Sequence, residues 1–235
     1  MIPLYDDQPT RSSPFITVAL ILANLIVFIG WQLGVGLEQS VALAAMVPAE
    51  ISTNTPQGAI YIFTSMFMHG GWLHLIGNMW FLWIFGNNIE DACGHIRFLL
   101  LYVLCGVIAA FAHVIAQPES TVPLIGASGA VSGVLGAYLL LHPHARIRTL
   151  IPIVFLIRIV DIPAFVFLIL WIGIQVLSQV TSQVGEGGGG VAYLAHIGGF
   201  IAGAALIKVL ERRRDHRLAS NNSWVRNKSH ERTWN

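Results

Sequence analysis

Ser128 lies in the run Gly126-Ala127-Ser128-Gly129-Ala130-Val131-Ser132-Gly133, at the head of an apolar segment that ends near Leu141. A serine hydroxyl becomes a nucleophile when a neighbouring base takes its proton. The chain offers such a base at His196, in Ala195-His196-Ile197-Gly198-Gly199, near the start of another apolar segment. His74 and Asn78 are four residues apart, so on a helix they share a face, and both side chains can donate hydrogen bonds. Nucleophile, base and a pair of donors are the parts that acyl transfer needs: attack, proton transfer and stabilisation of the oxyanion. The same residues also have a plainer reading. Small residues at spacing four (Ser128, Ser132, Gly136; Gly129, Gly133) are how membrane helices approach closely, and a membrane histidine often serves as a helix–helix hydrogen-bonding group.

The elements that would position these groups are membrane helices. Of the 235 residues, 55% are hydrophobic and 11% charged, and the mean hydropathy is +0.68. A soluble domain carries about 25% charged residues. So few charges cannot cover a water-facing surface, and several stretches reach the roughly 18 apolar residues of a spanning helix. The pattern predicts an all-α polytopic membrane protein. Cys93 and Cys105 are too few for a disulfide framework and fall in or beside apolar helices, so no redox role follows. The first apolar run, Pro14 to Leu33, has spanning length and reads as a retained helix rather than a removed signal.

Six helices are expected, over about Pro14–Leu33, Trp72–Asn87, Ile96–Ala116, Ser128–Leu141, Ile162–Val180 and Val191–Leu210. Residues 1–13 read as a short cytoplasmic N-terminal segment, polar and mobile, and residues 211–235 as a basic, disordered cytoplasmic tail. The Gly34 to Gly71 connection carries amphipathic pieces, Val41–Met46 and Ile60–Met68, split by Pro48 and Pro56; loops this long are usually functional. His144 to Asp161 reads as an interfacial turn and Thr181 to Gly190 as a glycine-rich hinge. With six spans both termini share one side. All 13 Lys and Arg residues then fall on that side: Arg11, Arg97, Arg146, Arg148, Arg158, Lys208 and those of the tail. The positive-inside rule makes it the cytoplasmic side.

Under that topology the second, fourth and sixth helices start at the outer face, and His74, Asn78, Ser128 and His196 share its depth. The fourth helix has about 14 residues where about 20 would span, which sets Ser128 roughly 9 Å below the surface. Backbone at that depth is tolerated where it lines a wet cavity or is buried in protein. Every Asp or Glu lies in a tail, a cytoplasmic turn or an outer loop (Glu38, Glu50, Glu119, Glu186), none beside His196 in an outer helix segment. The expectation is a Ser-His dyad whose imidazole is held by packing rather than by a carboxylate. His74, Asn78 and the Ser128 backbone N–H, at a helix N-terminus, would donate to the oxyanion. Gly199-x-x-x-Gly203 would bring the sixth helix close to the fourth. Metal is not expected: five residues from His69 to His74 turn a helix by about 140°, and there is no His-Glu-x-x-His pattern. No cofactor and no nucleic-acid partner is implied either, and no feature fixes an oligomeric state.

At these residues the chain resembles the rhomboid family of intramembrane serine proteases, from Pro14 to about Leu210. His69, His74 and Asn78 match a second-helix pattern His-x4-His-x3-Asn, and Gly126 to Gly129 match a Gly-x-Ser-Gly nucleophile motif. Ala195, His196, Gly199 and Gly203 match the last-helix pattern, and Glu90 matches a glutamate at the inner end of the second helix. The resemblance implies a six-transmembrane-helix bundle over residues 14–210 in a bacterial-type plasma (inner) membrane, with the active site opening to the outer side. It implies a serine endopeptidase acting on single-span membrane proteins in or near their transmembrane segments. By that analogy Ser128 is the nucleophile and His196 the general base, then acid. His74, Asn78 and the Ser128 N–H form the oxyanion hole, and His69 braces the loop carrying Ser128. Residues Gly34 to Gly71 form a membrane-embedded loop, and the fifth helix is a lateral gate. Many members carry an aromatic residue four after the nucleophile, where this chain has Ser132, and Trp-Arg in the first loop, where it has Ile60-Tyr61. What pins His196 and what anchors the first loop are therefore open. A catalytically silent rhomboid-like binder of transmembrane helices and a small transporter are the rival readings; the first typically loses the serine or histidine, the second would show charges or broken helices at midplane.

Overall fold

The computed structural model describes residues 1–52, 56–153, 156–184 and 192–212. Its long helices form around one buried helix. Strand β1 spans Ile2–Asp6. Helix α1 (Phe15–Leu25) runs through a π-helical stretch, Ile26–Gln32, into α2 (Leu33–Val35) as one apolar rod. Three short helices follow: α3 (Leu37–Ala44), α4 (Pro48–Ser52) and α5 (Pro56–Ser65). Then come α6 (Trp72–Cys93), α7 (His95–Ala116), α8 (Ser128–Leu141), the strands β2 (Arg146–Ile153) and β3 (Leu156–Pro163), α9 (Ala164–Val184) and α10 (Tyr193–Leu210). Four of these rods are long and apolar enough to cross a membrane: Phe15–Val35, His95–Ala116, Ala164–Thr181 and Tyr193–Leu210. Helix α6 has 22 residues, about 33 Å, but carries more polar side chains, and α8 is a shorter apolar helix.

Helix α8 is the centre. Every residue from Gly129 to Tyr138 is buried, as expected of a helix that is apolar or small all round. It lies between α7 and α10, and glycines set the spacing. A Cβ on Gly199 would collide with the Gly129 carbonyl oxygen, one on Gly203 with that of Gly133, and one on Gly136 with that of Phe200. The two backbones therefore touch along two turns, which only small residues permit. On the α7 side, Gly129 faces Ala109 and Gly133 faces Cys105. Around this seam Phe85, Phe98, Tyr102, Leu135 and Tyr138 close the core.

The opposite end of α6 is tied to the N-terminus by a buried carboxylate. Glu90, fully buried, accepts from the Ile16 and Thr17 N–H groups at 2.8 Å each, from Thr17 Oγ1 at 2.7 Å and from His95 Nδ1 at 2.6 Å. It thus satisfies orphan donors of the first turn of α1, where a negative charge also suits the helix dipole. Asp91 does the same one step outward, accepting from Ser12 N–H at 2.9 Å and Ser12 Oγ at 2.6 Å. These partners explain why α6 runs on to Cys93. The expected end at Asn87, with a polar turn beyond it, is corrected: Asn88, Glu90 and Asp91 face other elements rather than water.

Two further expectations are corrected in this region. The fold is mostly helical but not all-α, because β1, β2 and β3 form an antiparallel sheet in that order. The His144–Asp161 stretch is largely a hairpin rather than a turn. In β2, Ile147 and Thr149 are buried while Arg146 and Arg148 are exposed, the period of two that a half-buried strand requires. Nor is the whole N-terminal segment a mobile tail. Strand β1 lies along α6, where Trp80 Nε1 donates to the Pro3 carbonyl at 2.6 Å and Asn88 Nδ2 to Asp6 Oδ2 at 2.7 Å. The Tyr138 hydroxyl also donates to Asp6. Burial pushes the Asp6 carboxyl above its ordinary range against the opposing effect of that hydrogen bond, while the Arg146 backbone N–H holds the exposed Asp7 below it. Most of the expected glycine-rich hinge and nearly all of the basic tail lie outside the described residues; α9 itself continues to Val184. The expected start of the last helix at Val191 moves to Tyr193, and of the fifth from Ile162 to Ala164, because β3 occupies the residues before it.

Replacing Glu90 by alanine strands the donors it now satisfies. Glu90→Ala is expected to lower stability by about 3 kcal/mol, read as a drop in the thermal unfolding midpoint in detergent. An unchanged midpoint would show the α1–α6 tie to be dispensable.

Candidate active site

Ser128 is the first residue of α8, and the chain before it explains why. Gly126 has φ +123°, a conformation that favours glycine, and its N–H donates to the Ser65 carbonyl at 2.8 Å. The turn at Gly126–Ala127 redirects the chain into α8 and leaves the first-turn N–H groups, that of Ser128 included, without intrahelical acceptors. The same loop is held further back by the two-way bridge between Met46 and Leu124, at 3.2 and 2.7 Å, and by Ala49 N–H to the Ser120 carbonyl at 3.1 Å. The long connection after α2 is thus a frame for the segment that delivers Ser128.

Ser128, His196, His74 and Asn78 all line one open cavity of about 570 Å³, together with Ser132 and Trp171. They come from α8, α10 and α6, the three helices expected to share the outer depth. His74 Nδ1 accepts from Gly70 N–H at 3.4 Å, which puts its ring proton on Nε2. That nitrogen lies beside Gly126: a Cβ built there would sit 2.8 Å from it and 3.6 Å from Ser128 Oγ. Asn78 is buried, and its Nδ2 has no hydrogen-bond partner among the described residues. A buried amide donor with nothing to donate to is costly, and this one lies at the wall of the cavity. A carbonyl oxygen brought next to Ser128 would find three unspent donors around it: Ser128 N–H, His74 Nε2–H and Asn78 Nδ2–H.

The imidazole of His196 is held on several sides. Its Nδ1 lies 2.8 Å from Gln175 Oε1 on α9. The Trp171 ring, also on α9, lies at a centroid distance of 6.1 Å and an interplanar angle of 34°, and Tyr193 meets it edge-on at 6.4 Å. The Ser128 hydroxyl makes no hydrogen bond to the ring among the described residues, although both side chains line the same cavity. Ser132, where many family members have an aromatic, turns its hydroxyl back onto the Ser128 carbonyl at 2.6 Å. The aromatic cover on His196 comes from the neighbouring helix instead.

The supporting residues divide. Gly126 shapes the loop, and Gly129, Gly199 and Gly203 form the α8–α10 seam. The His69 ring is fully buried and packs edge-on against His74 at 5.1 Å. Glu90 is remote, near the other end of α6, and serves α1. Among the described residues no group of three or more His, Cys, Asp or Glu could hold a metal ion.

Two residues outside the expected set prove informative. Gln32, at the end of the π-helical stretch, clamps the His69 backbone: its Oε1 accepts from the N–H at 2.8 Å, and its Nε2 donates to the carbonyl at 3.2 Å and to Ser40 Oγ at 3.1 Å. With Thr64 Oγ1 donating to the Ala44 carbonyl at 2.9 Å, this anchors the first loop that lacks the Trp-Arg pair. Gln175 is the other. Both are uncharged polar residues inside long apolar rods, the signal that marks a side chain with a required partner.

The rhomboid domain family model matches residues 56–213, well over half of the chain. Among curated proteins, "Rhomboid protein 1, mitochondrial" of Saccharomyces cerevisiae is 29% identical over 178 residues, covering 70% of this chain and 47% of its own length. "Rhomboid protease GluP" of Bacillus subtilis is 29% identical over 196 residues, covering 83% of this chain and 36% of its own. "Presenilin-associated rhomboid-like protein, mitochondrial" of Homo sapiens is 28% identical over 130 residues, 54% and 33% of the two chains. The chain thus spans less than half the length of each of these relatives. With a matching family model over most of its length and helices apolar enough to cross a membrane, the chain belongs to the rhomboid family and is an integral membrane protein.

Proposed function

We propose that this protein is an intramembrane serine endopeptidase that cuts single-span membrane proteins in or near their transmembrane segments. The observation that carries the reading is the single cavity lined by Ser128, His196, His74 and Asn78, with an unspent donor at Asn78. In this scheme α1, α6, α7, α8, α9 and α10 are the six spans. Both termini lie on the cytoplasmic side of a bacterial-type plasma membrane, and the cavity opens outward. The distribution of the 13 Lys and Arg residues supports this orientation. "Rhomboid protease GluP" of Bacillus subtilis is named a protease, and the chain keeps both a serine and a histidine at the cavity, against the reading of a silent binder.

The reaction follows from the donors and acceptors present. Ser128 Oγ attacks the scissile carbonyl carbon while His196 Nε2 takes the hydroxyl proton. The carbonyl oxygen becomes an oxyanion and accepts from Ser128 N–H, His74 Nε2–H and Asn78 Nδ2–H. As the C–N bond breaks, His196 returns the proton to the leaving amine. A water, deprotonated by the same ring, then attacks the acyl-enzyme, and Ser128 recovers its proton. The cavity supplies the water that a bilayer lacks. Unwinding of the substrate helix exposes a carbonyl that intact helical hydrogen bonds would withhold, so helix-weakening sequences are the preferred sites.

Ser128→Ala and His196→Ala are each expected to abolish cleavage of a model single-span substrate in liposomes while leaving the unfolding midpoint near that of the parent protein. Turnover retained in either variant rejects the dyad. Asn78→Ala is expected to lower kcat by about 10- to 1000-fold; a rate equal to the parent's would reduce Asn78 to a packing residue.

A further inference from the structure

The seat of the His196 ring is built mainly from α9. Gln175 Oε1 lies 2.8 Å from Nδ1, and an amide oxygen can only accept. The ring therefore carries its proton on Nδ1 and keeps a lone pair on Nε2, the nitrogen left to act as a base. One turn earlier on the same face of α9, Trp171 lies beside the ring, and it stacks in turn on Phe200 of α10 at 6.2 Å. No carboxylate contacts His196 among the described residues. Helix α8 contributes no side-chain hydrogen bond to the ring, since the Ser132 hydroxyl is turned to the Ser128 carbonyl.

We propose that Gln175 is the positioning residue of the Ser128–His196 pair, doing with a neutral amide what an aspartate does in a three-residue catalytic set; this rests on the function proposed above. The choice of amide has a physical reason. A buried carboxylate in a membrane helix carries a large desolvation cost, whereas glutamine fixes the same tautomer and ring orientation without a charge. The consequence is mechanical. Helix α9 has the smallest buried share of the four long apolar helices, and both Gln175 and Trp171 ride on it. Both contacts to the ring are lost if α9 separates from α10, so the seating of α9 and the orientation of the base are one arrangement.

A mere α9–α10 packing bond would affect stability and leave kcat alone, which gives the test its edge. Cleavage of a single-span substrate in liposomes is compared for the parent, Gln175→Leu, which keeps the volume but loses the acceptor, and Gln175→Glu, which keeps an acceptor at the same reach. The expected result for Gln175→Leu is a fall in kcat of about 100-fold, with KM within about twofold and an unchanged unfolding midpoint. Gln175→Glu is expected to recover at least a tenth of the parental kcat. Parental kcat in Gln175→Leu, or equal loss in the Leu and Glu variants, overturns the assignment. Should Gln175→Leu fail to fold, Gln175→Met replaces it with the same two outcomes. A parent protein that cleaves nothing refutes the proposed function, whereas an active parent with an indifferent Gln175→Leu refutes this inference alone.

Discussion

The contact on which the architecture depends is glycine against backbone along the α8–α10 seam. Gly199 meets the Gly129 carbonyl and Gly203 that of Gly133, with Gly136 against Phe200 one turn further on. Helices that carry side chains at their contact normally stand 8–10 Å apart. Here the missing Cβ atoms let the axes close in, which brings the head of α8, where Ser128 sits, beside the first turns of α10, where His196 sits. A single methyl at Gly199 or Gly203 would wedge the two residues apart. The small-residue pattern that reads as packing and the polar pattern that reads as chemistry are therefore one device rather than rival accounts of the same stretch.

Around that seam the remaining elements divide by the end of the bundle they serve. At the cavity end, Gln32, Ser65, Met46 and Leu124 hold two loops by main-chain and amide hydrogen bonds, which fixes the segment that enters α8 at Ser128. At the other end, Glu90 and Asp91 gather the orphan N–H groups before and within the first turn of α1, and β1 is laid along α6 through Pro3 and Asp6. Both ends solve the same problem. In a low-dielectric surround each backbone group must find a partner, and the chain spends its few polar side chains on the places where helices start or strands run.

Much of this was legible before any coordinates. Ser128, His196, His74 and Asn78 were marked by residue type and spacing, and the limits of α8 coincide with the apolar run between Ala127 and His142. The sheet was not legible, for a physical reason. Arg146-Ile147-Arg148 followed by Thr149 and an apolar run suits an interfacial turn as well as a strand, and one edge of the hairpin is completed by β1, some 140 residues earlier in the chain. From sequence alone α6 reads as ending early, because Asn88, Glu90 and Asp91 look like a solvated turn, and the donors that they meet belong to distant elements. Gln175 and Gln32 were visible as polar residues in apolar rods, but a partner across a helix interface has no signature in local spacing. An imidazole held by packing alone is what the sequence suggests at His196; an amide oxygen, Gln175 Oε1, stands 2.8 Å from its Nδ1.

The central claim is that Ser128 is a nucleophile activated by His196 and not one more small residue in a packing seam. Reaction of the purified protein in detergent with a fluorophosphonate, followed by identification of the modified residue by mass spectrometry, tests it most directly. The account predicts covalent phosphonylation at Ser128 that is lost in His196→Ala. Modification at another serine, or unchanged labelling of Ser128 without the imidazole, would contradict it.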